Sequence, residues 1–270
     1  MSYFVTGTDT GVGKTLISCA LLHAFAARGR CVAGFKPVAA GCDEDEHNDD
    51  ANALRAASSI PLTYGQVNPY CFRHAIAPHI AARHSGVRIE LARILASYRE
   101  LAGQADEVIV EGAGGFCVPL NDKQSSADLA REIDLPVIVV VGMRLGCINH
   151  ALLTLRAIAD YQLECAGWVA NVLDEEMPAL QENIEDLRER IAAPLLGVVP
   201  HQPVPDAKAV AQYLDLSLLE CADGHGKIGD GIRHARLPHP NPLPPAGEGG
   251  SFSAQRPTDR AKQRAARSPL

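Results

Sequence analysis

Val137-Ile138-Val139-Val140-Val141 is apolar and β-branched at every position. A strand with one face in water alternates apolar and polar residues. A run without alternation is buried on both sides, as in the centre of a parallel sheet covered by helices above and below. The surrounding segments agree with this. Short β-branched runs at residues 3–5, 31–35, 108–110, 167–170 and 195–199 alternate with stretches of helical period at 15–27, 127–133, 148–161, 177–191 and 207–214. Alternating elements of this kind predict an α/β fold, a doubly wound, mostly parallel sheet flanked by helices on both faces. Between the second strand and residue 108 the pattern is less regular, with an acidic run from Asp43 and a turn at Asn68-Pro69. Irregular segments of such folds sit at strand ends, where ligands bind.

At 270 residues, the chain fits one such domain over residues 1–221 and an appendage over 222–270. The appendage is rich in Pro and Gly, then basic, and has no apolar period to offset the entropy of ordering it, so it is expected to be a disordered extension. The net charge of −7 is uneven, since residues 1–220 carry about −11. A body of that sign argues against nucleic acid as a partner, and an anionic ligand would need a local positive pocket. The eight cysteines form no CxxC pair and read as reduced thiols. Neither a signal segment nor an apolar stretch of membrane length is visible, which predicts a cytoplasmic protein without membrane contact.

The first strand runs into Thr6-Gly7-Thr8-Asp9-Thr10-Gly11-Val12-Gly13-Lys14-Thr15. Glycines let successive backbone N–H groups converge on anionic oxygens, a lysine adds charge, and a Ser/Thr hydroxyl suits Mg²⁺. Gly11, Val12, Gly13, Lys14 and Thr15 supply these, although the strict phosphate-loop spacing would put a glycine where Thr8 stands. Glu111 ends the strand 108–110 and precedes Gly112-Ala113-Gly114-Gly115, an acidic residue with open backbone beside it. It is a candidate Mg²⁺ ligand. Lys36 closes the second strand before Pro37, where its side chain either snorkels to solvent or points toward the same crevice.

These stretches, with "GFKPVAAG", "VEGAGG", "VVVGMRLGCINHALLT" and "GWVAN" in order, make residues 1 to about 220 resemble the dethiobiotin synthetases, cyclo-ligases of the P-loop NTPase superfamily. The resemblance implies an ATP- and Mg²⁺-dependent enzyme that closes a ureido ring on 7,8-diaminononanoate and CO₂, releasing ADP and phosphate. It implies that Lys14 and Lys36 are catalytic and that Thr15, Asp50 and Glu111 hold the metal. Gly11 to Thr15, Asp50 and Glu111 to Gly114 would bind the nucleotide phosphates and metal, and Asn171, Pro200, His201 and Gln202 would bind adenine. Lys36, Ala40 and Asn149 would bind the diamine, with Asn149 reaching across a homodimer interface. Ala40 stands where some members have Ser, and His201 and Gln202 where an aromatic and an apolar residue are expected. The alternative is a partner-binding switch ATPase of the partition type, but Thr8-Asp9-Thr10 lacks the extra lysine of those loops.

Overall fold

The computed structural model describes residues 2–45 and 47–220. Six parallel strands form the central sheet: β1 (Tyr3–Gly7), β2 (Val32–Phe35), β5 (Glu107–Glu111), β6 (Val137–Met143), β7 (Cys165–Val172) and β8 (Leu195–Val199), in the order β2-β5-β1-β6-β7-β8. All five strand pairings are parallel. Every residue of β1, β5 and β6 is buried.

Strand alternation sends neighbouring residues to opposite layers. Phe4, Val108, Val110, Val137, Val139, Val141 and Trp168 enter one core, while Tyr3, Val5, Ile109, Ile138, Val140 and Val169 enter the other. Each Val or Ile buried in this way contributes roughly 1.5–3 kcal/mol. The second core is covered by α1 (Lys14–Ala27), α2 (Asp49–Ala57) and α9 (Ala207–Val210). The first is covered by α5 (Leu91–Ala102), α6 (Ser126–Ile133), α7 (Cys147–Asp160) and α8 (Leu180–Arg190). Sequence-specific caps fix several helix starts. Ser125 and Asp128 form a capping box on α6, and Asn48 caps α2 through the N–H groups of Asp50 and Ala51.

The stretch read as irregular is instead built of short elements. It contains β3 (Val38–Ala40), α3 (Tyr64–Val67), β4 (Tyr70–Phe72) and α4 (Pro78–His84) besides α2 and α5. Strands β3 and β4 pair in parallel as a separate two-stranded sheet. Their pairing corrects the cysteine reading, because Cys42 and Cys71 form a disulfide, with Cα atoms 6.4 Å apart. Residues 29 positions apart are brought together by the β3–β4 ladder, which no local spacing reveals. Cys19, Cys31, Cys117, Cys147 and Cys165 are free thiols. The expectation of disorder for 222–270 lies outside the described residues. Among the described residues, no helix is long and apolar enough to cross a membrane.

Candidate functional site

The strand register assembles the site. Phe35 pairs with Val110, so Lys36 and Glu111 emerge side by side at the carboxyl edge, and Val5 pairs with Glu111, which sets the loop after β1 next to them. That loop turns into α1 through Gly13, whose φ of 88° lies in the left-handed region. A Cβ at Gly13 would run into the side-chain amide of Asn171. Asn171, buried near the end of β7, donates from Nδ2 to the Val12 carbonyl at 2.9 Å and so fixes the loop from beneath. No side chain caps α1, which leaves its first N–H groups to an incoming anion.

Four side chains converge beside this helix start. Lys36 Nζ donates to Glu111 Oε1 at 2.6 Å and to Asp50 Oδ2 at 3.0 Å. Thr15 Oγ1 lies 2.8 Å from Asp50 Oδ1 and 2.9 Å from Glu111 Oε1. Lys36 and Glu111 are buried, while the Asp50 side chain is 44% exposed and faces the cleft. Burial works against the Lys36 charge, but the Glu111 and Asp50 carboxylates outweigh it and raise its pKa. Asp50 is likewise desolvated, yet Lys36 and Thr15 hold its pKa below the usual range. Lys14 is different: burial, and then the neighbouring Lys36 charge, lower its pKa to about 8. Its Nζ donates to the Asp9 carbonyl at 3.0 Å, and the Asp9 carboxylate pairs with Arg144 beyond β6.

The oxygen atoms suit a small hard cation. The Thr15 hydroxyl has one proton for two carboxylate neighbours, and Glu111 Oε2 is buried with no hydrogen-bond partner. Two carboxylates and a hydroxyl match Mg²⁺, which keeps waters and phosphate oxygens for its remaining positions. Among the described residues there is no group of three or more His, Cys, Asp or Glu side chains that could hold a metal without such help.

A cleft of about 630 Å³ joins these groups, lined by Gly11, Gly13, Lys14, Thr15, Lys36, Asp50, Glu111 and Gly114 among others. Val12, Gly112 and Ala113 lie next to lining residues in the chain; Val12 and Gly112 are buried and Ala113 is partly exposed. Pro205 and Ala207 complete the lining, whereas Pro200, His201 and Gln202 do not line it. His201 Nδ1 is instead 3.3 Å from Glu175 Oε1, and Gln202 Nε2 donates to the Pro200 carbonyl. Ala40 ends β3 and Asn149 is exposed in the first turn of α7, both outside this cleft. The start of α7 resembles that of α1, with Gly146 at a φ of 93° and no side-chain cap. Sequence reasoning missed Thr10, Asp49 and Pro205 in the lining and Arg144 at the loop, because a single polar or proline residue carries no motif of its own.

Residues 1–209 match the family described as AAA domain. The chain is 56% identical over 218 residues to the ATP-dependent dethiobiotin synthetase BioD of Aromatoleum aromaticum, covering 80% of this chain and 97% of that protein. Proteins of the same name from Nitrosospira multiformis and Cellvibrio japonicus are 53% and 52% identical, covering 80% and 81% of this chain and 95% and 97% of theirs. Among solved structures, cobyrinic acid a,c-diamide synthase from Mycobacterium smegmatis, with bound ADP and magnesium, matches with a TM-score of 0.51 at 17% identity. The match covers 83% of this chain and 96% of that one, a likeness of fold alone.

Proposed function

This chain belongs to the ATP-dependent dethiobiotin synthetase family, and from that premise we infer which of its side chains carry the reaction. The enzyme is an ATP-dependent cyclo-ligase that forms carbon–nitrogen bonds to close the ureido ring of dethiobiotin. In our reading one amine of 7,8-diaminononanoate attacks CO₂ and loses a proton to give a carbamate. A carbamate oxygen then takes the γ-phosphoryl group and ADP leaves. The second amine attacks the carbamoyl carbon, phosphate leaves, and the ring closes.

No covalent enzyme intermediate is needed. The difficulty is that carbamate and triphosphate are both anions, which repel strongly where water is excluded. Lys36 faces the carbamate and the transferred phosphoryl group, and Lys14 faces the phosphates with the open N–H groups of α1. Thr15, Asp50 and Glu111 would hold Mg²⁺, which when bound supplies positive charge to the phosphate oxygens. Asn171 and residues Pro200, His201 and Gln202 are assigned to the adenine side of the site. Lys36, Ala40 and Asn149 are assigned to the diamine, with its carboxylate at the open start of α7 on a neighbouring subunit of a homodimer. The apolar patch beside Asn149 supports that pairing: Leu145 is 98% exposed and Leu153 61%. A cytoplasmic setting is part of the same reading; it fits the five free thiols among the described residues, with the Cys42–Cys71 disulfide as the exception.

The observation that carries the assignment is the meeting of Lys36, Asp50, Glu111 and Thr15 within 3.0 Å at the mouth of the loop. Its test is Lys36→Ala, assayed by mass spectrometry for dethiobiotin. Loss of ring product with nucleotide binding retained is the expected result, and full turnover would remove Lys36 from the mechanism.

A further inference from the structure

Lys36 and Asp50 meet at their side-chain tips, yet they sit on different elements, and a second hydrogen-bonded chain joins their backbones. Lys36 N–H donates to the Val67 carbonyl at 2.8 Å. The Lys36 carbonyl accepts from Asn68 Nδ2 at 2.6 Å, and the same amide group donates to the Tyr70 carbonyl at 3.0 Å. Two carbonyls on one side demand the NH₂ end of Asn68, so its Oδ1 points the other way, where the Tyr64 hydroxyl donates to it at 2.9 Å. The Tyr64 oxygen in turn accepts from the Asn48 N–H at 2.8 Å. Asn48 is the cap of α2, its Oδ1 accepting from the N–H groups of Asp50 and Ala51 and its Nδ2 donating to the Gly41 carbonyl at 3.1 Å.

We propose that the Tyr64 hydroxyl is a positioning residue for the ligase reaction, holding the Asp50 end of α2 at a fixed distance from the Lys36 end of β2. This rests on the functional reading above. The hydroxyl suits the task because it donates and accepts at once, and the residues on either side, Asn48 and Asn68, are buried. The Tyr64 oxygen also lies 3.4 Å from Cys71 Sγ, but the Asn68 oxygen is nearer and the stronger acceptor. The ring itself is held independently, with the His47 ring centroid 4.2 Å away and the Arg55 guanidinium 5.9 Å away. Removing the oxygen therefore leaves the packing in place and cuts only the link.

The test compares full-length wild type, Tyr64→Phe and a control, Ile184→Val, a buried change on α8. Hydrogen exchange reads the amides of Asp50 and Ala51, and steady-state kinetics read kcat and the KM for the diamine. The expected result for Tyr64→Phe is exchange faster by tenfold or more at α2, with kcat lower by about 10- to 100-fold and KM little changed, as misplacement of a reacting group predicts. Asn68→Ser cuts the same chain nearer the lysine and is expected to give the same signature, which keeps the test open if one variant folds poorly. Unchanged exchange, or a kcat no lower than that of Ile184→Val, overturns the proposal. Faster exchange with unchanged kcat overturns it too, leaving the hydroxyl a purely local role. If wild type makes no ring product, the functional reading fails, and exchange at α2 alone decides whether Tyr64 holds the two elements together.

Discussion

At the residue scale, Lys36 is buried against the Glu111 carboxylate at 2.6 Å, so its removal is expected to affect stability as well as turnover. Breaking a buried ion pair by deleting one partner costs about 3–5 kcal/mol, because the other charge stays buried. Lys36→Ala is therefore expected to melt well below wild type, and Lys36→Ala with Glu111→Gln to recover most of that loss, with neither variant turning over. Thermal melting beside the product assay checks both halves. Lys14 gives a pH prediction. Its pKa of about 8 in the folded protein lies below that of an exposed lysine near 10.4. Its burial therefore costs stability below pH 8, a cost that fades as pH rises from 8 toward the unfolded value. Phosphate should restore the proton, so nucleotide binding at pH 9 is expected to take up about one proton and at pH 6.5 none. Calorimetry in buffers of different ionisation enthalpy measures this.

At the scale of elements, the turn from β1 into α1 depends on Gly13. An alanine there meets both the left-handed backbone, costing about 1–2 kcal/mol, and the Asn171 amide. Gly13→Ala is expected to lower the melting temperature and to abolish nucleotide binding, read by the same calorimetry. The loop, the strand-end Lys36 and Glu111, and the central strands were legible because their signals are local: burial of a β-branched run, glycine spacing, a charge at a strand edge. The segment between β2 and β5 was not. Its two-stranded sheet and the Cys42–Cys71 bridge depend on contacts between residues about 30 positions apart. The amphipathic helix α5 was within reach of periodicity but was absorbed into the apparent irregularity. Asn68-Pro69 read as a turn, and nothing local showed that the asparagine amide spans from Lys36 to Tyr64. The residues proposed for adenine are the least legible part, since no side chain at 200–202 lines the cleft and only Pro205 and Ala207 do so in that region.

At the scale of the whole molecule, the described residues carry both cores, the cleft and all the grouped side chains, and the aligned relatives are spanned almost completely by 218 residues of this chain. A protein ending at Glu220 is therefore expected to keep its melting temperature and ligase activity, and loss of either on truncation would give residues 221–270 a part in the enzyme. The central claim is that one cleft unites two mutually repelling anions, a carbamate and a nucleotide triphosphate, between Lys36 and Lys14. Incubation with 7,8-diaminononanoate, ¹³C-bicarbonate and Mg-ATP, followed by mass spectrometry and ADP determination, tests it most directly. The expected product is dethiobiotin carrying one ¹³C in its ring for each ADP formed. ADP released without labelled ring product, at a rate that ignores the diamine, would contradict it.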